Sequence, residues 1–235
     1  MDKRSYTNQM QYLFRSLHYN HAQALGMSAE NGTSATLTAL TVSGYDTDEV
    51  DPRFNKNYYA GIMYDPEGKV IKTDFGKAVE YLPWEVKLDL SDSPYQKMAG
   101  ARMKKYSIDK TNIKDGKLID NDIVLFRYAD VLLMKAEAKV RNGENGDKEL
   151  NEVRARVGAT ERKATLQSIL NERLLELAWE GWRRQDLIRF DQYHKAYDQR
   201  PQLANEENRY TIVFPIPKGI LDLNVNLFQN KGYEK

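Results

Sequence analysis

The chain has 235 residues, with 35 basic against 34 acidic, and no cysteine. That length supports one or two domains with a sizeable core, the balanced charge argues against a nucleic-acid partner, which needs a clustered basic face, and the missing cysteine excludes disulfides, thiol catalysis and thiolate metal sites. No run of about 18 apolar residues is present to span a bilayer as a helix, and the opening MDKRSYTNQMQYLF lacks the apolar core of a secretion signal.

In chain order, residues 6–25 read as a first helix. Met10, Leu13, Phe14, Leu17 and His21 fall on one face at helical spacing, with Ser5 or Thr7 to cap it and Gly26 to end it. His18 and His21 stand one turn apart, but a zinc site needs further ligands and no HExxH pattern exists, so both read as ordinary helix surface. Residues 27–121 differ in character: Gly, Asn, Asp, Ser, Pro and Tyr are frequent and helical periodicity is poor. Irregular stretches of that length are commonly functional. Within them, Tyr45–Arg53 (YDTDEVDPR) packs four acids into six positions. The order of an EF-hand fails there, so Asp51 and Arg53 read as a cap or loop ion pair and no metal is expected. Further on, Trp84, Val86, Leu88 and Leu90 alternate with Glu85, Lys87 and Asp89, the pattern of a half-buried strand. Residues 112–122 (NIKDGKLIDND) read as a polar turn or hairpin around Asp115-Gly116.

From Asp122 the chain becomes helical. Leu125, Tyr128, Ala129, Leu132, Ala136 and Val140 form one stripe that Asn142-Gly143 ends. Leu150, Val153 and Val157 form the next, with Asn145 or Asp147 as cap and Gly158 as stop. The spacing predicts helices over 128–142 and 148–157, joined as a hairpin of about the length of a tetratricopeptide repeat. Residues 165–191 (TLQSILNERLLELAWEGWRRQDLIRFD) carry two apolar stripes, one through Leu166, Ile169, Leu170, Leu174, Leu177 and Ala178, the other through Leu175, Trp179 and Trp182. A helix that apolar over so wide an arc is packed on more than one side. The spacing predicts a helix over 166–181 and a further piece through Phe190, with Glu180, Arg183, Arg184 and Asp186 as a charged outer edge and Gly181 as a kink or close approach. Tyr210, Ile212, Phe214 and Ile216 alternate as an extended segment that Pro215 and Pro217 confine to an edge, and residues 224–233 read as an ordered surface tail.

Three of these stretches carry a resemblance: NERLLELAWEGWRRQDLIRF, then RYADVLLMKAEAKVRNG with LNEVRARVG, and the tail FPIPKGILDLNVNLFQNKGY. In this order over the second half of the chain they resemble the SusD/RagB family. NGTSA at Asn31–Ala35 and DPR at Asp51–Arg53 extend the likeness weakly into the first half. The resemblance implies a mainly α, SusD-like fold with tetratricopeptide-type helix pairs, long irregular loops and a few short strands. It implies one C-terminal portion over 1–235, divided into a helix (1–26), an irregular ligand-loop region (27–121), and a helical region with tail (122–235). Apolar helix surface would then be left open or covered by a partner copy. It further implies cell-surface binding of an oligosaccharide, or for some relatives an oligopeptide, for nutrient uptake and polysaccharide utilisation. Delivery would be through a partner SusC-like TonB-dependent transporter, with no cofactor and no chemical conversion. The location implied is the outer membrane, as a lipoprotein whose anchor lies outside this sequence.

The residues agree with a binder, and the alternative from a different class is a helical-repeat protein-interaction scaffold with no small ligand. No nucleophile elbow, Walker loop or dinucleotide fingerprint is present, and three histidines leave few centres for a Ser-His-Asp relay. Flat rings stack on the apolar faces of sugars while amides and acids take the hydroxyls. Tyr58, Tyr59, Tyr64, Tyr81 and Trp84 lie within 27 positions, interleaved with Asn, Asp, Lys and Gly. Glycan contact is expected from residues 44–95, at Tyr58, Tyr59, Tyr64 and above all Trp84, whose indole is the largest stacking face.

Overall fold

The structure, a computed structural model, describes residues 15–89, 97–109, 121–122 and 124–234. The chain divides into two compact units, Met1–Gly181 and Trp182–Lys235.

In the first unit, short helices and two-residue strands precede three longer helices. They are α1 (Tyr19–Ala24), α2 (Leu37–Ser43), α3 (Phe54–Asn57), β1 (Tyr58–Tyr59), β2 (Gly61–Ile62), β3 (Glu80–Tyr81), β4 (Arg102–Met103), α4 (Tyr128–Arg141), α5 (Asp147–Arg156) and α6 (Leu166–Glu176). The mainly helical class, with few short strands among long irregular segments, is the expected one. β1 pairs antiparallel with β4, and β2 with β3.

Helix α4 packs on α5 and on α6. Leu132, Leu133 and Ala136 of α4, Leu150 and Val153 of α5, and Ile169 and Leu170 of α6 are all buried. Gly146, in the loop between α4 and α5, permits their approach: a Cβ there would stand 2.8 Å from the Ala136 carbonyl oxygen. Asn145 Oδ1 accepts the Asp147 N–H at 2.7 Å and so satisfies one orphan donor of α5. Thr165 and Ser168 form a reciprocal capping box on α6. Along the other side of α4, Tyr128, Val131 and Met134 are exposed, and Leu125 and Phe126 before it are too. Val131 and Met134 stand outside the apolar stripe, whose Leu132 and Ala136 are buried.

A small closed motif lies between residues 61 and 82. Met63, Ile71 and Val79, spaced eight apart, pass backbone hydrogen bonds around a ring: Met63 N–H to Val79 O, Val79 N–H to Ile71 O, and Ile71 N–H to Met63 O, at 2.8, 2.8 and 2.9 Å. Their side chains cluster with Tyr81 in the core. The two turns between them repeat the same chemistry, Asp65-Pro-Glu-Gly68-Lys69 and Thr73-Asp-Phe-Gly76-Lys77. In each, the first residue's N–H bonds the lysine carbonyl while glycine takes a positive φ, 81° at Gly68 and 78° at Gly76. The eight-residue period MYDPEGKV/IKTDFGKA was legible in the sequence and is absent from the reading above.

Several expectations are corrected. Of the helix over 6–25, residues 6–14 lie outside the described residues. Its described part ends a helical turn at Ser16 and restarts at Tyr19, because His18 adopts an extended backbone and caps α1 through Nδ1. His18 and His21 are buried, not surface. No strand forms over 84–89: Trp84 sits on a turn, with Glu85 N–H bonded to Leu82 O and Val86 N–H to Trp84 O. The turn at 112–122 lies almost wholly outside the described residues. The helix from 166 stops at Glu176. Trp179 (φ 65°) and Gly181 (φ 80°) then turn the backbone left-handed, so Gly181 follows a break and causes no kink.

The second unit holds α7 (Arg183–Arg189) and α8 (Lys218–Leu223). The alternating segment at 210–216 begins as a 3₁₀ turn, Tyr210–Ile212, which ends at an extended Val213. Arg184 stacks under Phe214 (4.2 Å) and against Tyr193 (4.9 Å), while Arg200 lies 5.3 Å from both Tyr193 and Tyr197. Buried Glu206 accepts hydrogen bonds from Arg200, Thr211 and the Leu203 N–H. Burial works against its charge, and those bonds still hold its carboxyl down at about 2. Among the described residues no helix is long and apolar enough to cross a membrane.

Candidate functional site

The loop region is mounted on the C-terminal half of α6 by buried charge. Arg53 donates from Nε and Nη2 to Asp51 at 2.8 Å each, and from Nη1 to Glu172 at 2.6 Å and Glu176 at 2.8 Å. Arg154 reaches Glu172 as well, while Arg127 and Arg156 reach Glu176. Lys105 and Arg127 converge on Glu180. The side chains of Glu172, Glu176 and Glu180 are almost fully buried. Glu180, read above as part of an outer edge, is therefore an interior anchor. Burial opposes ionisation of Asp51 and Glu176, but hydrogen bonds from Arg53 and Arg127 hold both carboxyls below their usual range. Asp51-Pro-Arg53 is thus an ion pair, as expected. Its two distant partners on α6 were not legible, because Glu172 and Glu176 look in sequence like the polar face of an amphipathic helix.

From this mount a chain of rings runs to the surface. Trp179 lies 5.8 Å from Tyr58, Tyr58 5.2 Å from Phe54, Phe54 4.7 Å from Tyr45, and Tyr45 5.8 Å from Trp84. The inner end is fixed by the Trp179 Nε1–H bond to Asn57 O at 3.0 Å. At the outer end Trp84 is 46% exposed, and its Nε1–H donates to Asp46 Oδ2 at 2.6 Å. Asp46 takes this place by adopting φ 63° just after α2 ends at Gly44. An indole held by its edge, with a tilted ring beside it, leaves about half of its surface open to solvent.

The four residues singled out by sequence fall in different environments. Trp84 is the exposed end of the ring chain. Tyr58 is core, packed between Phe54 and Trp179, and burial pushes its phenol far up. Tyr59 is half-buried, edge-on to His21 at 4.6 Å with Lys104 over its ring. Tyr64 is exposed and bridges Val70 across the first hairpin. Tyr45 and Asp46, which the sequence reading did not select, complete the Trp84 arrangement. Phe75, at the tip of the second hairpin, is 91% exposed. An aromatic in a four-residue Gly turn is the signal that could have found it. His21 has its ring nitrogen 2.9 Å from the Tyr81 hydroxyl. Burial, with smaller contributions from His18 and Lys104, lowers its pKa to about 4, so both histidines serve the packing. No cluster of three metal-ligating residues occurs among the described residues.

The family model described as the SusD family matches residues 6–233. The chain belongs to the SusD family. The starch-binding protein SusD of Bacteroides thetaiotaomicron is 32% identical over 136 residues, covering 55% of this chain and 25% of that protein. The SusD-like protein P25 of Formosa agariphila is 31% identical, covering 71% of this chain and 34% of that protein. The chain therefore spans a quarter to a third of the curated relatives it matches. A SusD superfamily protein of known structure from Bacteroides fragilis superposes with a TM-score of 0.61 at 20% identity, covering 97% of this chain and 49% of that one. It shows the shared helical fold.

Proposed function

We propose that this SusD-family chain binds an oligosaccharide at the cell surface of an outer membrane and hands it unchanged to a SusC-like TonB-dependent transporter. Trp84 is the principal contact, and the exposed Tyr64 and half-buried Tyr59 are further contacts. Tyr58 supports the ring chain from the core. The observation that carries this reading is the Trp84 indole ring, half-exposed and tethered at its edge by Asp46. Sugar rings dock on such faces, and pre-ordering the ring removes part of the entropy that binding otherwise costs. The identity with a protein named for starch binding supports the ligand class. The protein's own chemistry ends at recognition.

Calorimetry with soluble starch and laminarin on the wild type, Trp84→Ala and Tyr64→Ala tests this. Trp84→Ala weakens binding by about 2 kcal/mol, roughly 30-fold, with an unchanged circular dichroism spectrum, since a half-exposed side chain is no keystone of the core. Tyr64→Ala weakens binding less. Unaltered affinity in Trp84→Ala, or affinity for an oligopeptide library and for no glycan, would overturn the reading. Release of new reducing ends from either glycan would overturn its non-catalytic part.

A further inference from the structure

Trp84 owes its place to the end of α2. Among the described residues its side chain meets one hydrogen-bond partner, Asp46 at 2.6 Å, and one ring, that of Tyr45 at 5.8 Å. These two residues directly follow Gly44, the left-handed cap of α2. Only glycine fits there: φ is 67°, and a Cβ would stand 2.9 Å from Glu49 O and 3.0 Å from Thr47 Oγ1. Tyr45 then packs on Phe54 at 4.7 Å, and Asp46, itself at φ 63°, reaches the indole edge.

The loop that carries Asp46 is fixed at both ends. Thr47 N–H and Thr47 Oγ1 both bond Gly44 O, and Glu49 N–H bonds Thr47 Oγ1. Asp51 N–H bonds Ser43 O at 2.7 Å, and the Asp51 carboxylate is the buried partner of Arg53. The position of Asp46 is therefore set by α2 on one side and by the Arg53 ion set on the other. Indole has a single donor, Nε1–H, and Asp46 takes it.

Resting on the glycan reading of Trp84, we infer that Asp46 is the positioning residue of that contact: it fixes the indole before the sugar arrives and keeps its hydrogen bond in the complex. Trp84 then offers a ligand its carbon surface and no donor. It reads the apolar face of a sugar ring and none of its hydroxyls. Asp46 acts through the indole and touches no sugar.

Nuclear magnetic resonance of the indole N–H groups, with the Trp84 signal assigned by its loss in Trp84→Ala, tests this beside calorimetry. On titration with maltohexaose and laminarihexaose, the ring protons of Trp84 shift while its Nε1–H keeps its position and its slow exchange with water. Asp46→Gly, which tolerates the left-handed backbone but frees the indole, moves that signal upfield and speeds its exchange. It weakens binding about fivefold, the cost of ordering one freed side chain. Asp46→Asn keeps an acceptor without the charge and restores both signal and affinity. The wild-type titration reads the bond with no substitution, so it decides even where a variant folds poorly. An Nε1–H signal that follows the ligand, wild-type affinity in Asp46→Gly, or an Asp46→Asn no better than Asp46→Gly overturns the inference while the glycan reading stands. Binding of neither hexaose, or binding indifferent to Trp84→Ala, overturns the reading and the inference with it.

Discussion

Arg53 shows what one residue does in the interior of this molecule. Its guanidinium meets three carboxylates, two of them more than a hundred positions away in sequence. Desolvation opposes its charge, and the bonds to Asp51 and Glu172 more than offset that, so its proton is held above the ordinary arginine range. Removing one partner of such a set leaves buried charge uncompensated, which costs about 3–5 kcal/mol. Arg53→Ala is therefore expected to lower the unfolding free energy by that amount, read as a lower urea midpoint. Arg156 also reaches Glu176, but its side chain is 59% exposed, and exposed pairs contribute about 0–1 kcal/mol. Arg156→Ala is expected to leave the midpoint almost in place. Equal losses in the two variants would show that burial is not what separates them.

Elements were legible in the sequence where periodicity and packing agree. Helices α4, α5 and α6 start within one residue of the spans that their apolar stripes predict, and Gly146 shows why the loop between α4 and α5 is short. Gly146→Ala is expected to cost about 1–3 kcal/mol, the range for overpacking, read as a lower thermal midpoint. Thr165→Ala, which removes the capping box, is expected to cost about 1 kcal/mol. Legibility fails where side chains alternate without a ladder. Val86 packs into the core beside Ala178 and Phe54, and Leu88 is exposed. The period-2 pattern there is a loop touching the core at intervals, with no strand assigned to it among the described residues. The ring chain was illegible for another reason. Tyr45, Phe54, Tyr58, Trp84 and Trp179 come from separate segments, and only the fold makes them neighbours.

At the scale of the whole molecule, stability should fall with acid in two stages. His21 titrates near 4 when folded and near 6.5 when unfolded. Its folded value is depressed, so the stability it contributes is present above about pH 6.5 and is lost as pH drops toward 4, amounting to about 3 kcal/mol. The carboxyls of Asp51, Glu176, Glu149 and Glu206 are also depressed, the last two to about 2. Their contribution is present above the ordinary carboxylate range near pH 4 and disappears as pH falls toward 2. Urea midpoints measured from pH 8 to 3 should show both stages, with the upper one missing in His21→Gln. A flat midpoint between pH 7 and 5 in the wild type would remove His21 from the account. The exposed apolar row Tyr128, Val131 and Met134 adds an expectation at the same scale: replacing all three by Gln should reduce binding of a hydrophobic dye with little change in stability.

The ring of hydrogen bonds through Met63, Ile71 and Val79 leaves these three segments with no outer strand. An open three-stranded sheet would fray from its edges, and its amides would exchange with solvent at graded rates. Here each segment is held by both of the others, so none can open first. The amides of Met63, Ile71 and Val79 should exchange deuterium together at one rate, through a single cooperative opening. Closure also removes the unpaired N–H and C=O row onto which a stray strand could add. A hairpin pair that lifts Tyr64 and Phe75 into solvent can thus stand at the surface without seeding its own aggregation.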